Sequence, residues 1–251
     1  MKVRLDDNLG TTMKIPREAI AAAVARARAV GLPVAAHLFY LDDAKFLVRS
    51  GIDLVAHSVR DLPVDAEFID LLRQRDVCYS PTLMREVSTF VYETRPGFLD
   101  DPFFRRDADP AAIEGVQTPQ HQASNRTPAA ARYKLALEQA KKNLKTLHDA
   151  GVKIAMGTDT GPAGRFQGYF EHLELEQMVS AGLTPMQVLV AATRNSAEFL
   201  RMNDAGTLAA NKSADFIVLD ANPVEDIANT RRISAVYLRG AAVDRASSTR
   251  R

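Results

Sequence analysis

The sequence has a single cysteine, Cys78, and no tryptophan. One thiol closes no intramolecular disulfide. Because Cys78 sits in the apolar run VCYSP, a buried, inert thiol is expected rather than a redox centre. No apolar run approaches the roughly 18 residues that a membrane span needs, and the opening MKVRLDDNLG is too polar for a secretory leader. On this reading the chain is expected to be cytoplasmic. Basic runs stop at pairs such as Lys141-Lys142 and Arg231-Arg232, and 32 basic against 31 acidic side chains leave a net charge of +1. That balance offers no electrostatic footprint for nucleic acid or an acidic surface. The sequence also lacks G-x-G-x-x-G, G-x-x-x-x-G-K-[ST] and G-x-S-x-G, which argues against dinucleotide, P-loop and serine-hydrolase sites. GPAGRFQG, after Asp159, has loop glycines but no P-loop lysine.

What is present is the mix of a soluble globular protein, 46% hydrophobic and 25% charged over 251 residues. A loose repeat of about 20 residues runs through it, in which an amphipathic helix-like segment precedes a short apolar run that closes on a polar residue. REAIAAAVARARAV ends at Gly31 and leads to LPVAAH, and DDAKFLVRS ends at Gly51 and leads to IDLVAH. VDAEFIDLLRQR leads to VCYSPT, and ARYKLALEQAKKNLKTLHDA ends at Gly151 and leads to VKIAMGTD. The glycines suit helix C-caps, and the short apolar runs suit buried parallel strands. MKVRL is a further candidate strand. Such βα repetition predicts an α/β fold, either an open doubly wound sheet or a (β/α)8 barrel, with chemistry at the carboxyl ends of the strands. The missing nucleotide motifs favour the barrel. From about 85 to 128 runs a polar, proline-bearing excursion, read as a long loop whose Phe98, Phe103 and Phe104 are expected to dock. YFEHLELEQMVSAG and TPMQVLVAATRNSAEFLRM read as helices, the second opened by Thr184 and Pro185. From 204 to 251 the texture changes to short strands and turns, a small β appendage to a domain at 1–203. The tail DRASSTRR is expected to fray.

Three of these strands end on residues that ligate metals or move protons: His37, His57 and Asp159. A lone histidine at a strand end is more often a structural residue, but three such endings in one series point to a shared site. A divalent cation held by neutral imidazoles lowers the pKa of bound water to about 7, and a nearby carboxylate can then accept the proton. His37 and His57 lie 20 residues apart, so they converge only through adjacent strands. His121 and His148 read as structural or solvated residues.

With HL, AHS and GTD in this order, the chain resembles the amidohydrolase superfamily, specifically its imidazolonepropionase-like, metal-dependent branch. The resemblance covers nearly the whole chain. It runs through VAAHLFYLDDAKFLVRSGIDLVAHSVRD and AMGTDTGPAGRFQGYFEHLELEQMVSAGLTPMQVLVAATRNSAEFL to GTLAANKSADFIVLDANPVEDI. The last phrase resembles the family's return into a small β-sandwich, with Asn211 where a glycine is usual. Residue by residue, the resemblance implies that His37 and His57 are the metal ligands ending the fifth and sixth barrel strands. Asp159 matches the aspartate ending the eighth, a ligand and general base, and Lys2 the fourth-strand lysine that becomes carboxylated to bridge two metals.

The same resemblance implies a TIM-type barrel that hydrolyses carbon–nitrogen bonds, amide, cyclic amide or peptidic, in a small-molecule substrate. It would use one or two divalent ions, zinc being expected. Because specificity in a barrel lies in the strand-to-helix loops, the loop carrying Arg165, Phe166 and His172, together with Tyr79 to Thr82, is expected to line the pocket wall. The family's first barrel strand carries an H-x-H pair, and no two of the five histidines have that spacing. The chain therefore reads as roughly strands four to eight plus a piece of the sandwich, the back part of a longer enzyme. Its barrel edges would be open to a second copy or a completing chain. The alternative is a catalytically silent fragment or interaction module.

Overall fold

Four short parallel strands carry the repeats: β1 (Lys2–Leu5), β2 (Ala35–Leu38), β3 (Leu54–Ala56) and β4 (Cys78–Ser80), hydrogen-bonded in the order 1-2-3-4. Successive strands are joined through α1 (Arg17–Ala29), α2 (Leu41–Ser50) and α3 (Ala66–Gln74), the crossovers that parallel pairing requires. The computed structural model describes residues 1–245, so most of the tail DRASSTRR lies outside the described residues. MKVRL is thus a strand, as expected. VKIAMGTD contributes less than a full strand. It makes one parallel bridge, Ile154 to Tyr79, in which the Tyr79 N–H donates to the Lys153 carbonyl and the Ala155 N–H to the Tyr79 carbonyl.

Side-chain alternation divides the sheet into two faces. Val3, Leu5, Ala36, Leu38, Val55 and Tyr79 point into the main core, where Val24, Leu47, Phe68, Leu72 and Leu144 cover them. Each large apolar side chain buried there contributes about 1.5–3 kcal/mol. The alternate positions, Lys2, Arg4, Ala35, His37, Ala56, Cys78 and Ser80, share the opposite face, and register sets Arg4 beside His37 and His37 beside Ala56. Cys78 is buried, and that burial pushes its thiol up to about 12, so it is inert as expected.

Local chemistry places the helix ends. Gly51 caps α2 at φ 99°, a left-handed turn open to glycine at little cost. Asp65 caps α3 by accepting from the Phe68 N–H. The expected long loop is instead largely helical, with α4 (Leu83–Val87), α5 (Pro102–Asp107), α6 (Pro110–Val116) and α7 (Pro119–Ser124). The reason is legible afterwards in DDP, ADP and QTP. Asp101, Asp109 and Thr118 each cap a helix with the side chain, and proline occupies its first position. The aromatic residues do dock: Tyr92, Leu99, Phe104, Val116, Tyr169 and Phe170 form a second core, with Phe98 and Phe103 against it.

The long helix α8 (Pro128–Asp149) follows, then α9 (Phe170–Ser180) and α10 (Pro185–Val190), whose Thr184 and Gln187 form a reciprocal capping box. A π-helical turn over Ala191–Asn195 joins α10 to α11 (Ser196–Phe199). Beyond it, β5 (Phe216–Leu219), β6 (Ile233–Leu238) and β7 (Ala241–Ala242) make a separate antiparallel sheet. No helix among the described residues is long and apolar enough to cross a membrane.

Candidate functional site

The carboxyl ends of β2 and β3 bring the two strand-end histidines together. Their ring centroids lie 4.4 Å apart at 72°. His37 reaches this point by ordinary alternation, on the face opposite the main core. His57 does not, since two residues after core-facing Val55 it should point under the helices. A φ of 78° at His57 turns the chain there, and the neighbouring strand-end residues Thr82 and Asp159 also lie in the left-handed region, at 47° and 62°. Each costs of order 1–3 kcal/mol, the kind of strain that persists where function requires it.

Each imidazole is oriented through one nitrogen. His37 Nε2 lies 2.7 Å from Asp6 Oδ2, with the Asp6 side chain wholly buried. Burial works against ionisation of Asp6, but the His37 hydrogen bond, the Asn8 N–H and Arg60 outweigh it and hold the carboxyl at about 2. An ionised carboxylate only accepts, so His37 donates from Nε2. Burial pushes the His37 pKa down, as it does that of His57, further still. Both rings are therefore neutral near pH 7. His57 Nδ1 lies 2.7 Å from Thr82 Oγ1, and its buried Nε2 has no hydrogen-bond partner.

Beneath the histidines, the fully buried Arg60 ties the two strand ends together, donating from Nη1 to the carbonyls of Leu38 (3.0 Å) and Ser58 (2.5 Å). Glu86, also fully buried, pairs with Arg60 at 2.9 Å and with Arg85 at 2.9 Å. Such a pair stabilises little on balance but is costly to break from one side.

Asp159 sits across a pocket of about 520 Å³ lined by Lys2, Arg4, His37, Arg85, Asp159 and Arg165. Its Oδ2 pairs with Arg165 Nη1 at 2.5 Å, and the same nitrogen donates to the Asp159 carbonyl. The flanking Thr158 and Thr160 hydroxyls both donate to Glu171 Oε1, at 3.0 and 2.7 Å, which fixes the turn that projects Asp159. Gly157 precedes them because a Cβ there would lie 2.7 Å from Ser80 Oγ.

Lys2, His37, Asp159 and Arg165 thus face one pocket, with His57 buried beside His37. The structure corrects two expected wall residues. Tyr79 is fully buried on the core face, where its hydroxyl accepts from the Val59 N–H, because strand parity turns it away while Cys78 and Ser80 face the site. His172 packs on Phe103 and hydrogen-bonds Thr230 Oγ1 at 2.9 Å, away from the pocket lining. Sequence reasoning did not single out Asp6, Arg60 or Glu86, and it reached Thr82 only as the end of the wall stretch Tyr79 to Thr82. Asp6 ends its strand as His37 does, so the strand-end rule already contained its signal.

Among the described residues, no group of three or more His, Cys, Asp or Glu side chains is gathered to hold a metal ion. The two histidines nonetheless suit one in a specific respect. Each has one nitrogen committed to an orienting partner, and His57 Nε2 is buried without one, the arrangement metal-ligating imidazoles show with their outer partners. Asp159 is turned to Arg165 instead.

Comparison with known proteins bears on this geometry. A 93-residue stretch is 39% identical to imidazolonepropionase of Deinococcus deserti, covering 37% of this chain and 23% of that protein. An 81-residue stretch is 41% identical to ochratoxinase of Aspergillus niger, covering 31% of this chain and 16% of the relative. The crystal structure of A. niger ochratoxinase superposes with a TM-score of 0.68 at 20% identity, over 96% of this chain and 50% of that one. A Xaa-Pro dipeptidase with methionine bound in its active site gives 0.68 at 24% identity, over 93% and 50%. The chain therefore spans about half the length of these solved structures. Those likenesses concern the fold, and the amidohydrolase family model matches residues 11–243, most of the sequence. The chain belongs to the amidohydrolase family.

Proposed function

We propose that the four parallel strands and the Ile154 segment correspond to strands four to eight of a (β/α)8 barrel in a metal-dependent hydrolase of carbon–nitrogen bonds. The observation that carries this reading, beside family membership, is the pair of neutral imidazoles, each anchored through one nitrogen and brought together at adjacent strand ends. His37 through Nδ1 and His57 through Nε2 would hold a divalent ion, zinc suiting such donors, with Asp159 and a carboxylated Lys2 as further ligands. The ion would polarise the scissile carbonyl and make water acidic enough to attack at neutral pH.

Asp159 takes the proton of the attacking water as its oxygen bonds to the carbonyl carbon, and returns it to the nitrogen as the C–N bond breaks. The products are a carboxylic acid and an amine. The Asp6 carboxylate keeps the His37 proton on Nε2, and the Thr82 hydroxyl accepts from Nδ1–H of His57, so that each ring presents a lone pair to the site. The buried Arg60–Glu86 pair holds the two strand ends at fixed separation. The test is inductively coupled plasma analysis of purified protein and of His57→Ala after equilibration with zinc and gel filtration. Zinc retained by the wild type and lost in the variant is expected; equal metal in both would sink the assignment.

A second reading, a catalytically silent module, draws support from the ion pair that holds Asp159 and from the absence of a three-donor group among the described residues. Turnover of an N-acyl amino acid panel by the zinc-loaded protein, abolished in Asp159→Asn, separates the two.

A further inference from the structure

We propose that β5 is a docking edge for a second copy of this chain. Two β5 strands pair antiparallel across a two-fold axis and join the small sheets into one of six strands, three from each copy. The inference concerns a different part of the chain from the strand-end site and does not depend on how that site is read.

The order β5-β6-β7 leaves β5 at an edge, with no strand on its outer side among the described residues. Its neighbour shows which backbone groups face outward. The Val243 N–H donates to the Val236 carbonyl, so the backbone of Val236 points to β7 and away from Ile217, its partner on β5. Alternation then turns the N–H and C=O of Ile217 and Leu219 outward, while those of Phe216 and Val218 face β6. Among the described residues, the outward groups bond to no other segment. Native edges usually carry a lysine, a proline or an inward-pointing charge that discourages pairing. The β5 sequence FIVL has none of these. The register shift in this sheet falls on β6, where Ser234 is skipped, and leaves the outer edge of β5 regular.

Charge selects the occupant, as the edge of β1 shows by contrast. The Ala35 N–H donates to the Met1 carbonyl, so the outward backbone groups of β1 are those of Lys2 and Arg4. Antiparallel self-pairing there sets basic side chains opposite one another, which is destabilising. On β5 the flanking Asp215 and Asp220 would repel an acidic strand, yet a second copy fits. Centred on Ile217, the pair sets Ile217 against itself, Phe216 against Val218, and Asp215 against Leu219. Centred on Val218, it sets Ile217 against Leu219 and Asp220 against Phe216. No like charges meet in either register. Apolar surface points the same way: Ile217, Val236 and Val243 lie in a row across the three strands, and Ile217 and Val243 are 47% and 41% exposed. Pairing through Ile217 continues this row into the same three residues of the second copy. No side chain of β5, β6 or β7 belongs to a hydrophobic core among the described residues, and so small a sheet is marginal without a packed face. An edge of four residues is small against the roughly 800 Å² per partner of a stable complex, so the dimer is expected to be weak.

The test is sedimentation equilibrium of the full chain at concentrations from about 5 μM to about 500 μM, the range in which a weak dimer forms. The weight-average mass is expected to climb from one chain towards two, and Ile217→Lys, at an exposed position, to hold it at one throughout. Ile217→Cys and Val218→Cys locate the axis, because either register brings one of these positions within disulfide reach of its own copy. One of the two is expected to give a covalent dimer under mild oxidation, while the wild type, whose Cys78 is buried, supplies the blank. A mass that stays at one chain, a mass that climbs past two, a rise that survives Ile217→Lys, or no cross-link at either cysteine would each overturn the proposal. If Ile217→Lys lacks the wild-type circular dichroism, the wild-type mass and the cross-links decide alone. None of these readouts involves turnover or metal, so failure of the hydrolase assignment leaves them interpretable.

Discussion

A threonine in the left-handed region is crowded by its own β-branch, and Thr82 holds φ 47° where its hydroxyl meets His57 Nδ1. Strain of that kind is tolerated for a reason, and the proposed reason is that Thr82 sets the orientation and tautomer of His57. Thr82→Val keeps the shape and removes the oxygen. Zinc affinity, measured against a competing chelator, is expected to fall about 10–100-fold with little change in melting temperature; unchanged affinity would remove Thr82 from the site. At this scale the sequence was legible wherever a residue type is unusual for its position, as with His37 and His57 closing apolar runs. Asp6, and the role of Thr82 toward His57, stayed hidden because Thr and Asp are ordinary turn formers. Tyr79 was misplaced for a different reason: VCYSPT carries polar-capable residues on both faces, so the run does not declare which parity faces the core.

At the scale of elements, partners distant in sequence supply what local pattern cannot. Asn143, buried on α8, accepts from the Val64 N–H and donates to the carbonyls of Val59 and Leu62, so one side chain satisfies three backbone groups of the β3–α3 connection. Asn143→Ala leaves all three without that partner. A loss of roughly 2–4 kcal/mol is expected in urea unfolding, with the slope unchanged; a loss below about 0.5 kcal/mol would show that water replaces the side chain. The Ile154 segment makes the same point. Its apolar run reads as a strand, yet beyond its two bonds to Tyr79 it is held from the far side too, where the Ala191 carbonyl in the π-helical turn accepts from the Met156 N–H and Asn195 Nδ2 donates to the Ile154 carbonyl. A π-turn frees a carbonyl for such use, and nothing in the helical period of TPMQVLVAATRNSAEFL announces it. The caps at Gly51 and Thr184 were legible, because they depend on neighbours within a few residues.

For the whole molecule, two buried groups of opposite behaviour shape stability against pH. Glu174 on α9 is fully buried and accepts from the N–H groups of Leu83 and Met84, pinning α4. Burial outweighs those two bonds, and Glu86 and Glu171 add to it, so its pKa rises from 4.5 to about 8. The unfolded chain then releases this proton first. Glu174 contributes stability fully below pH 4.5 and loses it as pH rises through 8. For His172, burial first and Arg231 second push the pKa from 6.5 down to about 4, so its contribution is present above 6.5 and lost as pH falls through 4. Between 4.5 and 6.5 the two oppose each other. From 6.5 to 8 Glu174 acts without that opposition, since His37 and His57 are displaced below 6.5 and Cys78 far above 8. Unfolding free energy in urea is therefore expected to fall by on the order of 2 kcal/mol across that interval. Glu174→Gln lowers stability overall, because an amide cannot accept both N–H groups equally, but it should flatten this decline. His172→Gln should leave the decline intact and remove the acid-side loss. If Glu174→Gln shows the wild-type slope between pH 6.5 and 8, the proton is not on Glu174, and the two backbone N–H groups hold it as a carboxylate throughout.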